Sequence, residues 1–280
     1  MHATAPLLFP LLFFHVSHLR PYVWAALGVW LVDGVLRWRS QVEGTARISL
    51  LTDELLALDI RTEIPRRFRP GSHLRITFPN LSKLHSNPFT VASITPSGLR
   101  VVARVRSGVT RTLAGRKEER VVLEGPYGQE LESGCDQLLV IAGGVGGTFC
   151  VPIVAAAVNA GRTSGLRFIW AVRRLEDCLW GLENEEVAGV VEVYITGGEA
   201  GELQDREVVE KLAALGVKKE RVKFGRPDLK AVVFGLVEGG GRRKEVVCCG
   251  PEGMGSGVRR EVAKGRRKGK VGLHVEEFGH

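Results

Sequence analysis

Apolar positions take three textures along the chain. Up to Ser40 they form long runs: "APLLFPLLFF", which Pro10 interrupts, and "PYVWAALGVWLVDGVL" from Pro21 to Leu36, flanked by Arg20 and Arg37. The second run predicts a hydrophobic helix. It falls short of the about 20 apolar residues that a free-standing membrane span wants, and it carries Asp33, one helical turn before Arg37, near an end where headgroups tolerate charge. A buried core helix is the alternative. Trp24, Trp30 and Trp38, with Tyr22 beside Arg20 and Arg39 following, favour an interfacial belt with a positive cytoplasmic flank. A cleaved signal peptide is disfavoured, since a positive n-region and a small-residue cleavage pattern are missing. The expectation is a transmembrane segment over residues 1–40, the last helix of a membrane region, with everything beyond Arg39 in the cytosol.

From Thr45 the texture changes to short alternating runs: "TARISLLT", "LLALDIRTE", "HLRITF", "PFTVASI", "LRVVARVR" and "RVVLEGPYG". β-branched and aliphatic residues punctuated by Pro-Gly, Pro-Asn and Gly-Pro predict an antiparallel β-barrel over residues 41–135. The third texture begins at Asp136. "QLLVIAGGVGG" is an apolar strand running into glycines, "TFCVPIVAAAVNAG" a helix, "LRFIWAV" and "VVEVYITGG" strands, "DREVVEKLAALG" an amphipathic helix, and "EVVCCGPEGM" a strand into a loop. Strands alternating with helices imply an α/β domain with a parallel sheet over residues 136–280.

Composition sharpens this picture at three points. Glycine is 35 of 280 residues, above the usual ~7%, and its even spread indicates tight turns and close backbone approaches, as in nucleotide-binding α/β units. The five cysteines, Cys135, Cys150, Cys178, Cys248 and Cys249, are odd in number and lack zinc spacing, so neither a disulfide framework nor a metal site is indicated. The net charge of +8 suits nucleic acid, a membrane surface or an anionic cofactor. Its placement decides: "GRRK" and "KGRRKGK" carry no interleaved aromatics, which disfavours nucleic acid.

The candidate chemistry lies in loops and strand ends. In "HSNPFTVAS" Pro88 fixes the entry angle of a strand, Phe89 offers a ring to a flat cofactor, and Thr90 offers a hydroxyl to its edge. A packed barrel strand is the blander reading of these residues alone. "SGVTRTL" puts Gly108 and Thr110 where backbone and hydroxyl could meet a pyrophosphate. "LEGPYG", with Gly125 and Pro126, makes a tight turn. "AGGVGGT" bridges strand and helix without being the dinucleotide fingerprint.

Taken in order, "NPFTVAS", "GVTRTL", "EGPYG", "AGGVGGT", "IWAVRR", "FGRPD", "CCGPEGM" and "EEFG" resemble the fungal ferric-chelate reductases, a family related to NADPH oxidases and more distantly to ferredoxin reductases. "YVWAALGVWLVDGVLR" is similar to that family's last transmembrane helix. The resemblance covers nearly the whole chain and implies a ferredoxin-reductase-like FAD-binding barrel, an NADPH-binding domain, and electrons passed singly through haems to ferric chelates. Carried over, Phe89 would stack on the isoalloxazine and Thr90 would sit near flavin N5. Asn87, Pro88, Gly125 and Pro126 would flank the flavin, and Gly108 and Thr110 would hold its pyrophosphate. Gly143, Gly144, Gly146 and Thr148 would line the NADPH pyrophosphate, and Arg173 would take the ribose 2′-phosphate. For Arg174 a solvated strand end is an equal reading. Cys249, Gly250 and Pro251 resemble the loop beside the nicotinamide, with Thr90 and Cys249 as the catalytic candidates, and Cys248 reads as a small buried apolar residue.

The chain departs from the family pattern in three places. Asn87 stands where the family has His, with His85 two residues earlier. The family ends in Phe-x-Trp, whereas this chain ends Phe278, Gly279, His280. His15 and His18 are three apart, which does not suit the family's paired haem histidines. Haem, expected for the family, is therefore not supported by these residues, and a haem-bearing membrane partner would have to complete a route across the bilayer. Three readings stay open: a membrane-tethered NADPH-dependent ferric-chelate reductase, a diaphorase or oxidase with another acceptor, and a non-catalytic remnant.

Overall fold

The computed structural model describes residues 18, 20–63, 68–82, 85–95, 97–128, 134–197, 202–241, 243–265 and 271–277. Two compact units result, Met1–Val42 and Glu43–His280. The first contains helix α1, Arg20–Ser40, with Trp24, Trp30, Leu31 and Trp38 exposed. The expected segment lies partly outside the described residues, at 1–17 and 19, and among the described residues no helix, α1 included, is long and apolar enough to cross a membrane. The reason is visible in its composition, since Arg20, Asp33, Arg37 and Arg39 all fall within the helix, with Arg37 Nε 2.8 Å from Asp33.

In the second unit, strands β1 (Val42–Thr52), β2 (Leu55–Arg61), β3 (His73–Thr77), β4 (Ser86–Thr95), β5 (Gly98–Arg104) and β6 (Glu118–Tyr127) close a barrel in the order β1-β2-β5-β4-β3-β6. Its antiparallel pairs alternate as a half-buried sheet should. Leu56, Leu58, Leu74, Ile76, Val101 and Leu123 point inward to one core. By the same alternation Val91 joins the barrel core while Ala92 faces the neighbouring domain, and a bulge follows between Val91 and Ser93. "VTRTL" forms a short helix, α2 (Val109–Leu113).

The α/β part has six parallel strands in the order β10-β9-β8-β7-β11-β12. These are β7 (Gln137–Gly143), β8 (Leu166–Val172), β9 (Val191–Ile195), β10 (Val222–Phe224), β11 (Lys244–Gly250) and β12 (Val271–Glu277). The helices are α3 (Gly147–Asn159), α4 (Leu179–Leu182), α5 (Glu185–Ala188), α6 (Glu202–Ala214), α7 (Leu229–Glu238) and α8 (Glu252–Gly265). The central strands are apolar throughout because both faces are covered. Val140, Ala142, Phe168, Trp170 and Val247 pack on the α3 side, and Leu139, Ile141, Ile169 and Val246 pack against α7 and α8.

Barrel and sheet meet along an apolar seam. Leu55, Ala57, Ala92 and Val102 leave the barrel's outer face and join the same core as Phe149, Ile153 and Cys249. Burying such side chains contributes about 1.5–3 kcal/mol each. The strand ends that carry the candidate chemistry are thereby held against one another.

Candidate functional site

Two cavities open along this seam. One, of about 570 Å³, lies between β3, β4, β5 and the start of α3, and is lined by His73, Pro88, Thr90, Thr110, Thr148 and Phe149 among others. The second, of about 530 Å³, lies at the carboxyl ends of β7, β8 and β11, and is lined by Gly143, Gly144, Arg173, Arg226, Gly250 and Pro251 among others. Both volumes fall in the range of small-molecule sites. They share Arg104, Arg106 and Val145.

In the barrel-side cavity the alternation of β4 decides which side chains are available. Phe89 pairs with Leu74 in register, is 9% exposed, and sets its ring edge-on to Phe78 with centroids 6.4 Å apart. Phe89 therefore packs in the barrel core and also lines this cavity. Asn87 faces inward beside it, opposite Ile76, and lines neither cavity; its Nδ2 is buried without a hydrogen-bond partner. Pro88 and Thr90 face out. Thr90 sits opposite His73 in register, and the His73 ring lies 5.8 Å from that of Tyr127.

Thr110 lines this cavity, but its hydroxyl also organises the loop: it accepts from the Arg106 amide at 2.9 Å and donates to the Arg106 carbonyl at 3.3 Å. Gly108 borders neither cavity; at φ +81° it takes the left-handed turn that starts α2. Gly125 and Pro126 end β6 and also line neither. His85, outside β4, accepts or donates at 2.9 Å to Ser82 Oγ according to its tautomer.

The sheet-side cavity is built by close approach. Gly143 and Gly250 lie side by side, so that a Cβ at Gly143 would fall 2.7 Å from Pro251 Cδ. Gly144 is open to the cavity at φ +54°, its carbonyl held by Trp170 Nε1 at 2.9 Å. A short 3₁₀ turn, Gly144–Gly146, then leads into α3, whose first amides and dipole favour an anion. Gly146 lines neither cavity: its Cβ would stand 2.1 Å from the Cys249 carbonyl, so it serves packing against β11. Thr148 is 1% exposed, donates to Val145 O at 2.9 Å, and borders the barrel-side cavity instead.

Arg173 and Arg226 line the sheet-side cavity with no ion-pair partner among the described residues, whereas Arg174 lies 3.6 Å from Asp177. Cys249 borders the barrel-side cavity yet is fully buried beside Phe149 and Cys150, and burial pushes its thiol well above the ordinary range, as it pushes Cys248 up to about 12. Phe278, His280 and His15 lie outside the described residues.

The residues present fit two dinucleotides. An apolar wall with outward hydroxyl and imidazole groups suits a flavin edge. A bare glycine edge at a helix start, with two unpaired guanidinium groups beyond it, suits a pyrophosphate and a ribose phosphate. His73, Arg104, Arg106, Phe149, Arg226, Glu276 and Glu277 were not singled out from the sequence. Arg226 had a signal in "FGRPD", a Gly-Arg-Pro turn ahead of the Asp228 cap of α7, whose carboxylate accepts from the Ala231 amide at 3.1 Å.

A barrel and a parallel sheet that meet at paired dinucleotide-sized cavities define an oxidoreductase module that holds a flavin and a nicotinamide nucleotide. Residues 41–131 match the FAD-binding domain family and residues 135–263 the ferric reductase NAD binding domain family. The chain belongs to the ferric reductase family through these two domains. It is 28% identical over 289 residues to a ferric/cupric reductase transmembrane component of Saccharomyces cerevisiae, covering 87% of this chain and 40% of that protein. The chain thus spans about two fifths of the length of that relative. In fold it is similar to a cytochrome P450 reductase from Amycolatopsis, with TM-score 0.64 and 17% identity over 85% of this chain and 69% of the other. It is similar also to the cytochrome b5 reductase domain of Ulva prolifera nitrate reductase, with TM-score 0.61 and 16% identity over 86% of this chain and 98% of the other.

Proposed function

We propose that this chain is the NADPH-oxidising flavoprotein part of a membrane ferric-chelate reductase, with FAD in the barrel-side cavity and NADPH in the sheet-side one. The observation that carries this reading is the junction of the two cavities at Arg104, Arg106 and Val145, which brings both cofactor sites into one cleft. Bound there, FAD would supply the means to take a hydride's electron pair and release the electrons singly.

The chain's own residues supply binding and orientation. Pro88 and the Thr90 hydroxyl form the barrel wall, and Thr110 holds the loop that carries Arg106. The Gly143–Gly144 edge takes a pyrophosphate, and Arg173 with Arg226 selects the 2′-phosphate dianion over a plain ribose. Cys249, neutral and buried, is a packing wall under the site rather than a nucleophile. Attachment to a membrane, on its cytosolic side, and delivery to a ferric chelate through a haem-bearing partner extend the reading to the whole protein.

The test is reduction of a small soluble acceptor. Purified chain supplied with FAD and NADPH should reduce ferricyanide, and NADH should serve more weakly. Protein that takes up no FAD, or that reduces ferricyanide at the rate of free FAD, would overturn the proposal.

A further inference from the structure

Arg104, one of the residues common to both cavities, has a partner of its own. It closes β5, and its Nη2 lies 2.7 Å from Glu54 Oε2. Glu54 is fixed in turn: it sits in the turn between β1 and β2, where Thr52 Oγ1 accepts from the amides of Glu54 at 3.2 Å and Leu55 at 3.1 Å. The two side chains are 41% and 47% exposed, so their attraction is weakened by water and readily exchanged. A phosphate is a stronger partner for a guanidinium fork than an exposed carboxylate.

We propose that Arg104 is a two-position switch shared by the two dinucleotide sites. In one position it pairs with Glu54, and in the other it leaves Glu54 for the phosphates of a bound dinucleotide, so that FAD and the nicotinamide nucleotide raise each other's affinity. The inference rests on the cofactor assignment above. Releasing Arg104 from Glu54 has to happen only once. The first dinucleotide bears that cost, and the second meets a guanidinium already turned. This is a coupling between sites, and by linkage it is reciprocal. A cation in one fixed position would attract both anions independently and couple nothing. Because the pair is exposed, the coupling is small, about two- to fivefold.

The experiment is a titration of FAD into the flavin-free full chain, followed by flavin fluorescence, with and without saturating NADP⁺. The oxidised nucleotide allows no turnover, so the readout is the ratio of the two FAD dissociation constants. That ratio should be about two- to fivefold larger in the wild type than in either Glu54→Gln or Arg104→Gln. The two variants should separate in the absolute constants. Glu54→Gln frees the guanidinium and should bind each dinucleotide alone more tightly, whereas Arg104→Gln should bind each more weakly.

An equal ratio in all three proteins overturns the switch while leaving the cofactor assignment intact. Loss of affinity for a single dinucleotide in Arg104→Gln assigns the arginine to that site and overturns sharing. A wild type that binds neither FAD nor NADP⁺ overturns the cofactor assignment, and the switch with it. Circular dichroism checks the fold of each variant, and Glu54→Gln tests the switch even if Arg104→Gln is destabilised.

Discussion

Phe89 and Thr90 are neighbours in sequence and opposite in role. The strand period sends Phe89 to the barrel core beside Leu74 and Phe78 and leaves Thr90 at the cavity wall. Phe89→Ala should therefore cost about 3–5 kcal/mol of stability, measured by denaturant unfolding, because it opens a cavity in a closed core. Phe89→Leu should keep FAD affinity near that of the wild type in a fluorescence titration. A stacking ring would show the reverse, a stable Ala variant with FAD lost in both. Arg173 and Arg226 belong to the same scale. With no internal partner among the described residues, each is available to an anionic ligand. Replacing either with Ala should remove a charge-assisted contact of about 1.5–3 kcal/mol, raising the NADPH requirement by one to two decades in steady-state kinetics with NADH little changed. Equal loss for both nucleotides would assign the arginine to folding. The sequence made Arg173 legible because it follows an apolar strand at a sheet's carboxyl end. Arg226 was hidden because it arrives from a separate loop, between β10 and α7, that only the fold brings to the same place.

Elements were legible where burial and period agree. The alternating runs became the barrel, and the wholly apolar runs became the central parallel strands. One helix was missed where glycine is used for packing. "EVVCCGPEGM" reads as a strand into a loop, yet α8 begins within it at Glu252 and runs through Gly255, Gly257 and Gly265, which are buried where a side chain would crowd its neighbours; a Cβ at Gly265 would lie 2.5 Å from Val237 Cγ2. Intrinsic propensity, about 1 kcal/mol against each glycine, is overridden by helix contact. The same use of glycine fixes the start of α3, where a Cβ at Gly147 would fall 2.2 Å from Trp170 Cζ2. Gly147→Ala should displace the helix start, lower thermal stability and weaken NADP⁺ binding, whereas Gly253→Ala, with nothing within 4 Å, should leave thermal stability unchanged or raised. A different device ties the outer strands. Glu192 on β9 accepts from Arg167 on β8 at 2.5 Å and from Lys223 on β10 at 2.8 Å. Burial alone would raise its carboxyl, but these hydrogen bonds and charges pull it from 4.5 down to about 2. A lowered folded value contributes stability that is complete above the unfolded value and is lost as pH falls through the folded one. Unfolding followed from pH 5 to pH 2 should therefore show a decline that Glu192→Gln flattens, by about 1–2 kcal/mol after allowing for the exposure of both cations. Identical acid profiles would deny the network this role.

At the scale of the molecule, the apolar seam turns two sheets into one cleft. Leu55, Ala57, Ala92 and Val102 pack on the core around Phe149, and the cavities open where that seam meets solvent. The seam was not legible in the sequence, because strand alternation puts Leu55, Ala57, Ala92 and Val102 on the barrel's outward face and only the fold covers that face with α3. The central claim is that one cleft holds both cofactors close enough for direct hydride transfer. Its most direct test is an anaerobic titration of the FAD-loaded chain with NADPH, followed by the visible absorbance of the flavin. The account predicts stoichiometric bleaching of bound flavin by NADPH without any added acceptor or partner. Bound flavin that keeps its colour in excess NADPH would contradict it.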